Sequence, residues 1–577
     1  MSRAIAALLT LTLLAMGSAR LGASTGGGDA QLQALSRQYL AELEARDPLF
    51  ADSIGVHAYD DVLPDYSGSG VQERMRWQRS WRTRLSALAS DSLTENGRAD
   101  RTALLDTIEL ELFEARTIDP WSTNPDLYVS AIGNAVYALT GRHYAPADVR
   151  FGHVANRLLG IPKLVDGAIA NLRRPARVVT EFAIEQNAGN LDLYGSLTHD
   201  DSAASPPIQR RIAARLPAAV ASLRRLQNFL QGPLLRRSNG SARVGAAVFD
   251  RELVLAAGTD VPRATFVSRA RAAMAAQRQE MLRLALPLDR TFFPARSRSG
   301  SGDELVNRIV GRVMNRLADD HPTRDRIFAT AKADVASLER FLTLHPVVPL
   351  PRPNTLHVKP TPAFMAGFAG ASLDPAGTFT PLAESYYYID EIPASWSAQR
   401  VASYLREYND YEMQMLSMHE AVPGHYVQFR YNNTLRSVVR RVFGNGSFIE
   451  GWAVWTEGMM LDAGYGGHDP RLRLFQLKWR LREEADAIID AEFHAGSLTQ
   501  AQCFVLLQGK AFQERSEALT KWHRLQLSHD QLSTYFAGLD AIQRAHAQSG
   551  DRYDLAAFDR RLLEIGDVEP RFVRTLL

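Results

Sequence analysis

Apolar residues recur at three- and four-residue spacing through most of this chain. The stretches 31–45, 103–113, 217–230 and 264–284 each carry such a stripe, the spacing that gathers side chains on one face of a helix. The stretch 161–194 predicts two helices separated at Pro175. Proline- and glycine-rich segments at 198–207, 294–303 and 346–362 predict loops. One region breaks the helical rhythm. Between 364 and 390, Gly367, Gly370 and Gly377 precede Ala383-Glu384-Ser385-Tyr386-Tyr387-Tyr388-Ile389-Asp390, whose aromatic and β-branched content predicts a strand. The fold class is therefore mainly α with a small β-segment. A length of 577 residues exceeds one simple core, so the chain is expected to form two lobes, residues 24–350 and 351–577, meeting in the proline-rich 346–362.

Candidate chemistry concentrates in the second lobe. His419-Glu420-Ala421-Val422-Pro423-Gly424-His425 places two imidazoles six residues apart. The usual helical zinc motif spaces them by four, which leaves the side chains about 40° apart around the helix. Six residues of unbroken helix would separate them by roughly 120°. Pro423 and Gly424 provide a break, since proline lacks an amide hydrogen and clashes with the carbonyl four residues back, and glycine accepts the dihedrals that follow. The expected layout is a helix ending near His419-Glu420, a kink, and a new turn carrying His425. Two histidines flanking an ordinary kink is the alternative.

A second stretch, Glu450-Gly451-Trp452-Ala453-Val454-Trp455-Thr456-Glu457, puts two glutamates seven residues apart on one face of an apolar helix. A carboxylate there is costly unless paired or metal-bound. Glu450, beside the small Gly451, is the expected third ligand with His419 and His425. Glu457 either holds a ligand histidine in the right tautomer or faces solvent.

These words, in this order, resemble the DUF885 family of bacterial proteins, whose pattern runs His-Glu-x-x-Pro-Gly-His and then Glu-Gly-Trp-Ala-x-x-x-Glu. The resemblance runs over residues 31–577: Gly55 to Asp65 is similar to the family's opening segment, Asp490-Ala491-Glu492-Phe493-His494 to an Asp-x-x-x-His word, and Gln531 to Gly538 to a Gln-x-x-x-Tyr-x-x-Gly word. His529-Asp530 departs from the Pro-Gly that usually precedes the last word. The resemblance implies a gluzincin-like, two-lobed helical metallopeptidase fold and metal-dependent hydrolysis, without naming a substrate. By that analogy the strand segment lies beside the metal-binding helix and takes extended substrate along its edge; a small core hairpin is the other reading. Tyr535 and His494, which fall in family words, become candidate donors to a developing oxyanion, or else a core tyrosine and a structural histidine. Asp490, one turn before His494, is placed to orient it.

Composition narrows the rest. Lys and Arg number 66 against 64 Asp and Glu, so no strong field draws nucleic acid to the chain. Arg3, an apolar run over 4–16 and small residues up to Ala23 have the layout of a secretory leader, too short to span a bilayer. Cleavage after Ala23 would leave a periplasmic or secreted protein with no stable membrane insertion. Cys503, in an apolar run, is the only cysteine; it excludes an internal disulfide and a cysteine-built zinc site, and is read as a buried thiol. The expected activity is that of a zinc hydrolase with one Zn²⁺ per chain, Mn²⁺ or Co²⁺ being compatible with the same donors. Its expected substrate is a peptide. His419, His425 and Glu450 hold the ion, Glu420 is the general base, and Tyr535 and His494 assist. Hydrolysis of small non-peptide amides or esters and an inactive periplasmic scaffold are the competing readings.

Overall fold

The computed structural model describes residues 25–577 apart from residue 368; the expected leader, 1–23, lies outside them. Among the described residues, helix accounts for 70% and strand for 3%, the mainly α architecture that the apolar spacing predicts. The stretches 31–45, 103–113 and 264–284 fall inside the helices Thr25–Arg46, Glu95–Thr117 and Arg263–Phe292, and 217–230 ends one residue past the helix Pro206–Phe229. The chain breaks at Pro175 between Ile161–Asn171 and Arg177–Asp200.

Four clusters of buried apolar side chains build the core. One draws on residues 128–234 and one on 32–108 with Val438 and Val439. A third joins Phe249 to Leu317 with Leu474 to Ala537, so packing passes across residue 350. The fourth runs from Ile327 to Val573 and surrounds the histidine motif. The helix Pro470–His494 lies at the centre, buried along almost its whole length, between Arg263–Phe292 and Gln531–Ser549. Cys503 is fully buried in Gln500–Gly509, and burial raises its thiol to about 12.

The small sheet has three strands: β1 (Leu356–Pro360), β2 (Ala371–Asp374) and β3 (Ser385–Ile389). Their order is β1-β3-β2, with β1 parallel and β2 antiparallel to β3. The tyrosine run is thus the central strand, buried at all five positions, which is why it reads as continuous rather than alternating. β1 lies in a segment read from its prolines as loop; an edge strand accommodates them because one side of it needs no ladder hydrogen bond. β2 is the other edge, and it packs beside the helix Asp410–Glu420.

Candidate metal centre

The histidine motif folds as two helices joined by a tight reversal. Asp410–Glu420 ends on His419-Glu420, and His425 opens His425–Asn432. The Val422-Pro423 peptide is cis. The Gly424 amide donates to the Met418 carbonyl at 2.9 Å. A Cβ at Gly424 would sit 1.9 Å from the His419 carbonyl oxygen and 2.4 Å from that of Met418, so glycine is required there by contact with backbone. Trp452 locks the turn from outside, its indole N–H donating to the Pro423 carbonyl at 3.1 Å.

Glu450 and Glu457 lie two turns apart on the helix Gly446–Asp462. His419 Nε2 stands 3.3 Å and His425 Nε2 3.4 Å from Glu450 Oε2. The two imidazoles meet edge to face, with centroids 4.8 Å apart. Atoms bound to one tetrahedral ion at 2.0–2.1 Å stand about 3.3–3.5 Å apart, the spacing of these contacts. Glu450 Oε2 has no hydrogen-bond partner although its atom is buried. Glu457 Oε1 lies 3.0 Å from His419 Nδ1. A carboxylate accepts, so Nδ1 carries a hydrogen and Nε2 is the ring atom turned toward Glu450 and His425, available to a metal once it is deprotonated.

Electrostatics describe the same cluster. Burial opposes protonation of His419, yet the carboxylates of Glu450 and Glu457 beside it overcome this and hold the imidazole well above its ordinary value. Burial also opposes the charge on Glu450, and the two histidines overcome it, keeping that carboxyl well below the usual range. The cluster is a buried anion focused on two imidazoles, and a divalent cation suits it.

Glu420 lines a cavity of about 50 Å³ with His419 and Tyr535, space for a few waters. Tyr535 is presented by Gln531–Ser549, its ring 6.2 Å from that of His419. Its hydroxyl oxygen accepts from Arg524 at 2.9 Å and Gln531 at 3.4 Å, which leaves its own hydrogen to donate. Burial holds the phenol far above its ordinary value, hence neutral. The Glu450 and Tyr535 helices cross backbone to backbone at Gly451 and Gly538, where a Cβ on Gly538 would lie 1.7 Å from the Ser447 carbonyl oxygen.

His494 is placed elsewhere. It ends the central helix in a separate core cluster, between Phe249 and Phe493, with Nε2–H donating to the Leu525 carbonyl at 3.1 Å. Asp490 Oδ1 is 3.5 Å from it, while Asp490 Oδ2 accepts from the Ser533 amide and hydroxyl. Among the described residues no contact joins His494 to the triad. The cavity wall also includes residues that no sequence word picks out: Arg482, Glu483, Asp486, Lys521 and Arg524. Arg482 pairs with Glu517 at 2.8 Å and Lys521 with Asp486 at 2.7 Å. The one signal for Arg482, Glu483 and Asp486 is a run of charges, Arg480 to Asp486, inside an otherwise apolar helix, and it does not reach Lys521 or Arg524.

A family model described as "Bacterial protein of unknown function (DUF885)" matches residues 48–577. The chain belongs to the DUF885 family. Two solved structures share the fold of this DUF885 chain. A candidate lipoprotein of unknown function from Shewanella oneidensis is 26% identical with a TM-score of 0.76, the match covering 95% of this chain and 99% of that one. A candidate lipoprotein from Colwellia psychrerythraea is 15% identical, also at a TM-score of 0.76, covering 96% and 98%. No curated protein matches. None of the described helices is long and apolar enough to cross a membrane.

Proposed function

We propose that this DUF885 protein is a zinc-dependent hydrolase acting on peptide bonds outside the cytoplasm. The observation that carries the reading is the convergence of one ligand atom each from His419, His425 and Glu450 to within 4.8 Å of one another, beside a cavity that also exposes Glu420. When bound, zinc supplies an acidified water and polarises a scissile carbonyl. Glu420 accepts the water's proton and delivers it to the leaving nitrogen. Tyr535 donates its O–H to the carbonyl oxygen as charge develops there, and Arg524, bonded to the same phenol, strengthens that donor. Glu457 fixes the His419 tautomer. Ala371, which opens the edge strand β2, and the preceding Ala369 and Gly370 border the cavity, so an extended peptide is the substrate shape that this wall fits. The leader-like residues 1–23 and the lipoprotein descriptions of the two related structures support an extracytoplasmic location.

The test is metal content by elemental analysis together with turnover of a mixed peptide library. Glu420→Gln is expected to keep its zinc and lose turnover by at least about 100-fold. Near-normal turnover in Glu420→Gln would refute the mechanism. Activity on acyl amides or esters but on no peptide would replace the peptidase assignment.

A further inference from the structure

A second group of ligand-type side chains lies apart from the histidine motif. Glu114, on Glu95–Thr117, Glu252, on Ala246–Leu255, and His529, at the entry to the Tyr535 helix, bring one donor atom each to within 4.8 Å of one another. His529 Nδ1 is 3.0 Å from Glu252 Oε1. Glu252 is 0% exposed, and its Oε2 has neither a hydrogen bond nor an ion pair. A fully buried carboxylate with an idle oxygen is costly unless something absent from the protein chain satisfies it.

A third cluster, Asp52, His57 and Asp60, shows what an internally satisfied group looks like. Asp52 takes both of its oxygens to Arg157 at 2.6 and 3.0 Å, and Asp60 accepts from His57 and Tyr144. No guanidinium or ammonium does this for Glu252. More acidic groups crowd the site instead, since Asp530 interacts with Glu252, Glu114 and Asp490. Burial raises the Glu114 carboxyl to about 7, partly offset by His529. A route in exists: a cavity of about 240 Å³ reaches His529 past Thr117, Ile118, Val244 and Ser528.

We propose that Glu114, Glu252 and His529 form a second metal site that takes a divalent transition ion of the zinc or manganese type. One imidazole and two carboxylates suit those ions better than calcium, which prefers an all-oxygen shell. Two carboxylates and an imidazole balance a divalent charge once the ion displaces the proton that His529 carries in the metal-free chain. The site ties two helices of the N-terminal half to the start of Gln531–Ser549, six residues before Tyr535, so its role is to position that helix. The inference does not depend on the hydrolase reading.

The experiment uses the full mature chain, stripped with a chelator, reloaded with Zn²⁺ or Mn²⁺ and freed of excess ion. Metal per chain and thermal unfolding are measured for wild type, Glu450→Gln, His529→Gln and the double variant, with circular dichroism reporting folding. Glu450→Gln is expected to retain about one ion and to be stabilised by added metal, as a ligand bound only to the folded state requires. The double variant is expected to lose both that ion and the metal-induced shift. Glu252→Gln, nearly isosteric, replaces His529→Gln in the same scheme if the latter misfolds. No ion and no metal-induced shift in Glu450→Gln would overturn the proposal, and so would an ion retained in the double variant. If wild type and Glu450→Gln both hold one ion that His529→Gln loses, the second site stands and the histidine-motif site fails.

Discussion

Gly538→Ala tests whether the close crossing of two helices sets the geometry of the metal centre. Gly538 abuts the helix that carries Glu450, and a methyl group there would stand 1.7 Å from the Ser447 carbonyl oxygen and 2.9 Å from Gly451 Cα, whereas ordinary contact begins near 3.4 Å. Both near atoms are backbone, so no side chain can swing aside. The helices must part by about 1.5 Å, and overpacking of this kind costs roughly 1–3 kcal/mol. The displacement also acts on function, because Glu450 lies beside Gly451 on one helix and Tyr535 lies one turn before Gly538 on the other. A shift of ~1 Å at reacting groups is worth about 100-fold in rate. Gly538→Ala is therefore expected to melt several degrees lower, to bind zinc about 10-fold more weakly or worse, and to lose about 100-fold in turnover. Gly446→Ala is the control, since a Cβ at that position, at the start of the Glu450 helix, meets nothing within 4 Å. The assays are thermal unfolding of the metal-free protein and zinc affinity by competition with a chromophoric chelator. Wild-type melting and wild-type zinc affinity in Gly538→Ala would refute the argument that this crossing positions the site.

Glu457→Gln keeps the packing but weakens the acceptor on His419 Nδ1, and zinc affinity is expected to fall by about 10- to 100-fold; chelator competition reads it. Tyr535→Phe removes one donor and little volume, so kcat on a peptide substrate is expected to drop by roughly 100-fold or more with KM nearly unchanged and metal content intact. His494 carries a pH dependence that does not involve the metal centre. Burial, reinforced by the charge of His529, lowers its pKa from 6.5 to about 3. Between those values the unfolded chain binds a proton that the folded chain refuses, so this group's contribution to stability rises with pH and is lost on acidification. From pH 7 to pH 5 that loss amounts to about 2 kcal/mol. Urea unfolding at both pH values is expected to show a smaller drop for His494→Gln than for wild type, and equal drops would contradict the assignment.

The helical frame is legible in the sequence because apolar spacing is a local property: 31–45, 103–113 and 264–284 all lie inside helices. The break between His419 and His425 is legible for the same reason, since Pro423 and Gly424 act on their own backbone. The position of Glu457 behind His419 follows from its two-turn distance to Glu450. His494 shows the limit of such reasoning. A word that places a histidine one turn after an aspartate says nothing about which cavity the helix end faces, and here that end packs between Phe249 and Phe493. The charged wall beside the triad was illegible for a different reason. Lys521 is buried and Arg482 half-buried at no prohibitive cost because Asp486 and Glu517 meet them, and such pairing depends on how two distant helices are docked. From Arg480 to Asp486 the sequence shows only a charged run, which by itself predicts a solvated face.

The same dependence on docking links the two clusters of metal-type ligands. His419, His425 and Glu450 come from 32 consecutive residues, and the kink that joins the histidines is dictated locally. Glu114, Glu252 and His529 come from three helices or helix ends separated by more than 130 residues at each step. No spacing rule finds them; only the packed chain does, through a buried carboxylate with an oxygen left over. If an ion binds there, it restrains the start of the helix whose Gly538 presses on the Glu450 helix and whose Tyr535 faces His419. The lever is short, six residues from His529 to Tyr535, so a change in the distant cluster has a direct mechanical path to the cavity. Adding metal to Glu450→Gln should therefore protect the amides of 531–536 from hydrogen exchange. Unchanged exchange across that turn, in a protein that holds the ion, would show that the second site stabilises the fold without positioning Tyr535.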